Sequence, residues 1–233
     1  MPSPVIHRVA TLDLPVRPWR WPFAEQQREK IDAHFRARQA EKPQMWNGRV
    51  LLGRNPAFAG NSFSADAFET SFASFLAWRD WGFPDKDVFD GFGMGALRCS
   101  DGAFVLGEMG QQNATAGRVY FPSGTPDPSD IRDGKVDISG SVAREMEEET
   151  GLSPSDYRTE PDWDCVVSGS IIAMIRILDV ALTGEALRGR IEANLASQRE
   201  PELARIHLVR GRGDLTSAMP GFVTAYLERQ FSA

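Results

Sequence analysis

Nine consecutive residues, Arg144, Glu145, Met146, Glu147, Glu148, Glu149, Thr150, Gly151 and Leu152, constrain this chain more than any others. As a helix begun by Asp137 or Ser139 as N-cap, the stretch stops at Gly151, the residue suited to a left-handed helix end. Glu145, Glu148 and Glu149 then stand at i, i+3 and i+4, one turn apart on one face. Ala143, Met146 and Thr150 fall on roughly the opposite face, where they can pack on a sheet. Three crowded carboxylates repel one another, and a helix gains nothing from that by itself. Mg²⁺ or Mn²⁺ offsets the repulsion, because hard divalent cations take oxygen ligands and hold phosphate oxygens at the same time. Arg144, one turn before Glu148, can steady it through an i,i+4 pair. The plainer alternative is a solvated acidic helix face, the usual fate of a charged run. On either view Glu148 and Glu149 are expected to be exposed, so that replacing either by Gln changes stability by no more than about 1 kcal/mol.

The order Arg-Glu-apolar-x-Glu-Glu-x-Gly-apolar over residues 144–152 resembles the second half of the Nudix hydrolase signature. The first half departs from that pattern. Counting back from Arg144, the family's glutamate falls on Val136 and its glycine on Asp130. Phe121-Pro122-Ser123-Gly124 resembles the family's strand and turn instead, which places an insertion rich in Pro, Asp and Gly before the helix. Gly134-Lys135-Val136-Asp137 with a shortened connection is the competing alignment. Under the first, Asp137 is a helix cap and not a ligand.

The resemblance implies an α/β fold: a Nudix-like α/β/α sandwich with a mixed central sheet, carrying an N-terminal α/β extension. It implies residues 93–233 as the hydrolase domain and 1–92 as the extension packed on it. It also implies hydrolysis of a diphosphate linkage in a nucleoside diphosphate joined to another group, with Mg²⁺ or Mn²⁺ as cofactor. By motif position Glu148 and Glu149 are metal ligands, Glu145 is a ligand or the base for water, and Arg144 orients them. Ser123 and Gly124 let the backbone approach the phosphates closely. Some family members take a base from a later loop, which makes Glu200 and Glu202 candidates. No marker of a particular substrate follows the signature, since Val167 stands at the usual distance and Pro161 falls short of it. The long N-terminal extension is similar in kind to those of enzymes acting on nucleotide sugars. A nucleotide-derivative binding or regulatory module with weak or lost catalysis is the alternative.

The net charge of −6 argues against broad binding of nucleic acid or of an anionic membrane. No signal-peptide order and no apolar run of membrane-spanning length is present, which predicts a cytoplasmic protein and leaves a homodimer open. Cys99 and Cys165 lie in apolar runs and read as buried thiols without a zinc spacing. His7, His34 and His207 are scattered and suggest no chemistry.

Along the chain, residues 5–16 alternate as one strand. The cluster Arg17-Pro18-Trp19-Arg20-Trp21-Pro22-Phe23 reads as the edge of a core more readily than as a base-stacking surface. Phe23, Gln27, Ile31 and Phe35 predict a helix from Pro22 to about Ala40. Val50 to Leu52 reads as a strand and residues 55–62 as a loop. Phe68, Phe72, Phe75 and Leu76 predict an amphipathic helix stopped by Gly82 and Pro84. A hairpin about Asp101-Gly102 precedes a polar loop over residues 111–117. Later strands are expected at 165–167, 170–180 and 204–209. Helices are expected after Thr183 and over 222–231.

Overall fold

The computed structural model describes residues 3–111 and 115–232. The stretch expected as one strand over residues 5–16 breaks at Ala10 into β1 (Val5–Val9) and β2 (Thr11–Asp13). Pairing explains the break. β1 lies antiparallel to the strand Trp163–Ser168, whereas β2 lies parallel to Ser62–Ser71, at the far end of the sheet. The next helix is also divided, into α1 (Pro22–Gln26) and α2 (Arg28–Glu41), with Gln27 outside helical geometry between them.

Residues 55–62, expected as a loop, are the tip of a hairpin. β3 (Arg49–Ala59) pairs with β4 (Ser62–Ser71) through a register shift between Arg54 and Ala57. Gly60, at φ 56, makes the turn that a side chain would resist. Phe68, read as the start of an aromatic helix, belongs to β4 opposite Leu52, and α3 (Phe72–Asp80) begins only after the Ser71 cap. A spacing of four suits both a strand and a helix, so the i,i+4 step from Phe68 to Phe72 could not separate them.

β5 (Val88–Cys99) then crosses the whole molecule. Its first residues pair with β3 (Gly53 opposite Phe89) and its last with β6 (Phe104–Met109; Leu97 opposite Val105). The line between residues 92 and 93 therefore falls inside one strand, and one sheet holds strands from both sides of it. Of the polar loop expected at 111–117, residues 112–114 lie outside the described residues. After β7 (Val119–Tyr120), the insertion folds as a turn of 3-10 helix, Pro128–Asp130, and a small hairpin, β8 (Ile131–Arg132) and β9 (Lys135–Val136). Asp133 and Gly134 take φ 49 and 74 at its tip.

The acidic helix α4 (Ile138–Thr150) follows, with β10 (Arg158–Thr159), β11 (Trp163–Ser168), β12 (Ile171–Val180), α5 (Gly184–Ser197), β13 (Leu203–Val209) and α6 (Gly221–Gln230) after it. β12 lies parallel to β5 from Ile171 opposite Asp90 to Val180 opposite Cys99, and antiparallel to β11. The sheet is thus mixed. One face packs Leu97, Val105 and Leu178 against Val142 and Met146 of α4 and Leu187 and Ile191 of α5. The other packs Met94, Phe104 and Phe121 against Val223, Tyr226 and Leu227 of α6. This is the expected helix–sheet–helix sandwich. Under α3, Trp21, Phe68, Phe75 and Trp78 form a smaller aromatic cluster.

Candidate metal centre

Asp137 caps α4, its carboxylate accepting the Gly140 N–H at 2.9 Å, and Gly151 ends the helix at φ 73. Both ends are where the sequence placed them. Gly93 and Gly95 of β5 let the helix lie close to the sheet. A Cβ on Gly93 would come within 2.6 Å of Val142 and 2.7 Å of Ile138. Met146 and Thr150 are buried in that contact, at 0% and 2% exposure.

The three glutamates share a side of the helix but not an environment. Glu145 and Glu149 are 9% and 2% exposed, whereas the Glu148 side chain is 56% exposed. Glu149 is therefore not the exposed glutamate expected from the sequence. It sits next to the buried stripe that begins at Val142 and Met146, one residue round the helix from solvent.

Burial pushes the Glu145 carboxyl up to about 7, with the charges of Glu148 and Glu202 adding to the rise and Arg144 opposing it. Burial also holds Glu149 well above the ordinary carboxylate range, with Glu145 and Glu202 adding to the effect. The Ser123 backbone N–H lies close enough to favour its charge, yet neither carboxylate oxygen completes a hydrogen bond of good geometry.

The turn after β7 meets the helix as its resemblance to the family turn implied. Phe121 is fully buried, and the Pro122 carbonyl accepts the Gly95 N–H at 3.4 Å. A Cβ on Gly124 would fall 2.1 Å from Glu145 Oε1, so a side chain there would push that carboxylate from its position. Ser123 and Gly124 thus line the buried glutamates with backbone.

Arg144 links the carboxylates. Its Nη1 donates to Glu145 Oε1 at 2.7 Å and to Glu148 Oε2 at 3.3 Å. Its Nη2 donates to both oxygens of Asp130 at 3.2 Å. Burial opposes the guanidinium charge, but Glu145, Asp130 and Glu148 outweigh it and raise its pKa above the ordinary value. Asp130 is the residue that counting had placed at the family's glycine. Its signal was local: Asp127-Pro128-Ser129-Asp130 is a capping box, with Asp127 and Asp130 closing the turn on each other.

Of the two loop candidates, Glu202 is within electrostatic reach of Glu145 and Glu149. Its residue surface is exposed, but partial burial of its carboxyl raises its pKa, and Glu148 adds to the rise. Its backbone carbonyl accepts the Gly110 N–H at 2.8 Å. Glu200 is exposed. A cavity of about 280 Å³ opens beside Arg144 and the first turn of α4, with Ser129, Arg132 and Ser141 in its wall.

Other candidates lie elsewhere. Trp21 is buried and donates to Asp85 at 2.8 Å, while Arg54 stacks over Trp19 at 4.4 Å, so the Arg/Trp cluster closes a core. Cys99 and Cys165 are buried and free, their thiols pushed by burial up to about 11 and about 12. His34 and His207 pair with Asp80 and Glu108, and His7 stacks on Phe58.

No protein-family model matches the chain, and no curated protein matches it. Its sheet and helices do align with solved structures. One is RenU from M. smegmatis, with 15% identity over 58% of this chain and 79% of that one and a TM-score of 0.36. Another is the MutT protein from Methanosarcina mazei Go1, with 16% identity over 61% and 92% and a TM-score of 0.38. A third comes from Nitrosomonas europaea, with 16% identity over 52% and 71% and a TM-score of 0.32. RenU and the N. europaea protein are described as Nudix hydrolases. The likeness is to Nudix hydrolases.

The site's residues suit a hard cation in kind. The Nudix-like stretch supplies oxygen donors only, and Glu149 has two buried oxygens without hydrogen bonds. Among the described residues, however, no three His, Cys, Asp or Glu side chains are gathered into a ready metal cage. Arg144 instead bridges Glu145 and Glu148, at 2.7 Å and 3.3 Å.

Proposed function

We propose that the protein hydrolyses a diphosphate linkage in a nucleoside diphosphate joined to another group, a nucleotide sugar among the candidates, with Mg²⁺ or Mn²⁺ as cofactor. The observation that carries the reading is Glu149, a buried carboxylate whose oxygens complete no hydrogen bond of good geometry, one turn from Glu145, with the Ser123 backbone beside it and the Gly124 backbone against Glu145. A buried charge of this kind is costly unless paired or bound to metal. Glu145, Glu148 and Glu149 would hold the cation, which when bound supplies charge neutralisation at phosphate oxygens and a water of lowered pKa.

The remaining work falls to the chain itself. Arg144 orients Glu145 and Glu148. Gly124 keeps side chains out of the space the phosphates need. Glu202, within electrostatic reach of Glu145 and Glu149, accepts a proton from the attacking water at its carboxylate.

The test is a panel of nucleotide sugars, dinucleotides, ADP-ribose and nucleoside triphosphates, with Mg²⁺, with Mn²⁺ and with EDTA. Metal-dependent release of a nucleoside monophosphate from at least one diphosphate is expected. Ligand binding without turnover would favour a binding module instead, and the absence of both metal binding and turnover would overturn the reading.

A further inference from the structure

Resting on the metal-centre reading above, we propose that Asp130 is a positioning residue of this site: it acts through Arg144 to keep Glu145 and Glu148 available to the cation, and the amino-terminal lobe holds it in place. Asp130 is 5% exposed and takes no place on α4, yet both of its carboxylate oxygens accept Arg144 Nη2 at 3.2 Å. A guanidinium engaged at both ends has a fixed plane. With Asp130 gone, nothing retains Arg144 on that side. It would turn fully onto Glu145 and Glu148 and compete with a cation for their oxygens.

The contacts behind Asp130 make its position stiff. Its Oδ2 accepts the Asp127 N–H at 3.0 Å, and its carbonyl accepts the N–H of Asp137, the cap of α4, at 2.8 Å. The segment on either side is fastened to the lobe. Leu51 donates to the Pro126 carbonyl and Val16 to that of Gly134, both at 2.8 Å, and the Val136 N–H reaches Leu14 at 2.9 Å. Lys135 adds an ion pair with Asp13 at 2.7 Å. Asp130 thus joins the lobe to the carboxylates by a short line of direct bonds: lobe, inserted turn, Asp130, Arg144, Glu145 and Glu148.

The test uses the full chain, freed of metal, titrated with Mn²⁺ and followed by the electron spin resonance of the free ion. Asp130→Asn keeps the shape and an acceptor for Asp127 but loses the charge that holds Arg144. Its Mn²⁺ dissociation constant should rise about 10-fold, the lower end of what loss of a ligand's supporting partner costs. KM for a diphosphate substrate at saturating Mn²⁺ should stay within about 2-fold, since no substrate contact changes. In an Arg144→Gln background the same substitution should shift Mn²⁺ affinity no further, because its effect passes through Arg144. If Asp130→Asn does not fold, Asp130→Glu replaces it, with a smaller rise expected since the charge is kept and the arm is longer. An unchanged Mn²⁺ constant in the folded variant overturns the inference, as does an equal shift with Arg144 absent. Wild-type protein that binds no Mn²⁺ overturns the metal-centre reading and this inference with it; wild-type binding with an unshifted variant overturns this inference alone.

Discussion

Glu149 concentrates the cost of the site. Without a cation its negative form is buried, without hydrogen bonds of good geometry and near three like charges, Glu145, Glu202 and Glu148. Glu149→Gln should therefore lower the rate on the best diphosphate substrate by about 10²-fold, yet raise the stability of the metal-free protein by about 1 kcal/mol. Initial rates with Mg²⁺ and melting curves in EDTA measure both, and a variant that melts below wild type in EDTA contradicts the buried-charge account. Glu148→Gln should cost activity on the same scale but leave melting within about 0.5 kcal/mol, because its side chain is mostly solvated.

A second buried carboxyl, Asp90, lies outside the site, with one oxygen lacking a hydrogen bond. Burial pushes it from 3.8 up to about 7, with Arg79 offsetting a little. Its folded pKa is raised, so the stability it contributes is fully present below the unfolded value and is lost as pH rises through about 7. Asp90→Asn should flatten that loss, which urea midpoints between about pH 4 and pH 8 would reveal.

At the scale of elements, α4 on β5 decides whether the carboxylates are in place. Gly93→Ala puts a methyl against Val142 and Ile138, branched side chains with little freedom to yield. It should cost about 1–3 kcal/mol in urea unfolding and weaken Mn²⁺ binding as the helix lifts. A variant equal to wild type in both would show that the helix has slack. The same elements show what the sequence disclosed. Both ends of α4 were legible because Asp137 and Gly151 act on their own neighbours. The cap at Thr183 was legible for the same reason. The burial of Glu149, the split of residues 5–16 and the strand identity of Phe68 were not. Each depends on a partner far along the chain: the Ser123 turn, β11 and β4, and Leu52 of β3. Asp130 was hidden more deeply still, because its partner Arg144 is reached across an insertion that the family pattern lacks.

For the whole molecule, the expectation that residues 1–92 pack on the remainder as an added lobe remains a proposal, and the continuity of β5 sharpens its test. A chain begun at Phe92 would lack Val88 to Gly91, would uncover the edge shared with β3, and would free Pro126 from Leu51. It should aggregate or melt well below the full chain, by calorimetry and light scattering. Equal solubility and heat stability would show the lobe to be dispensable. β5 also imposes an order of events during synthesis. The β3–β4 hairpin can close as soon as it leaves the ribosome, but β5 must wait for β12, and β1 must wait for β11, Val5 meeting Val167. For most of translation, β5 and β1 each have an open edge that another nascent chain could pair with. The protein's vulnerable interval is therefore its own manufacture, and it ends only when β13 has emerged to pair with β6, Val209 opposite Phe104.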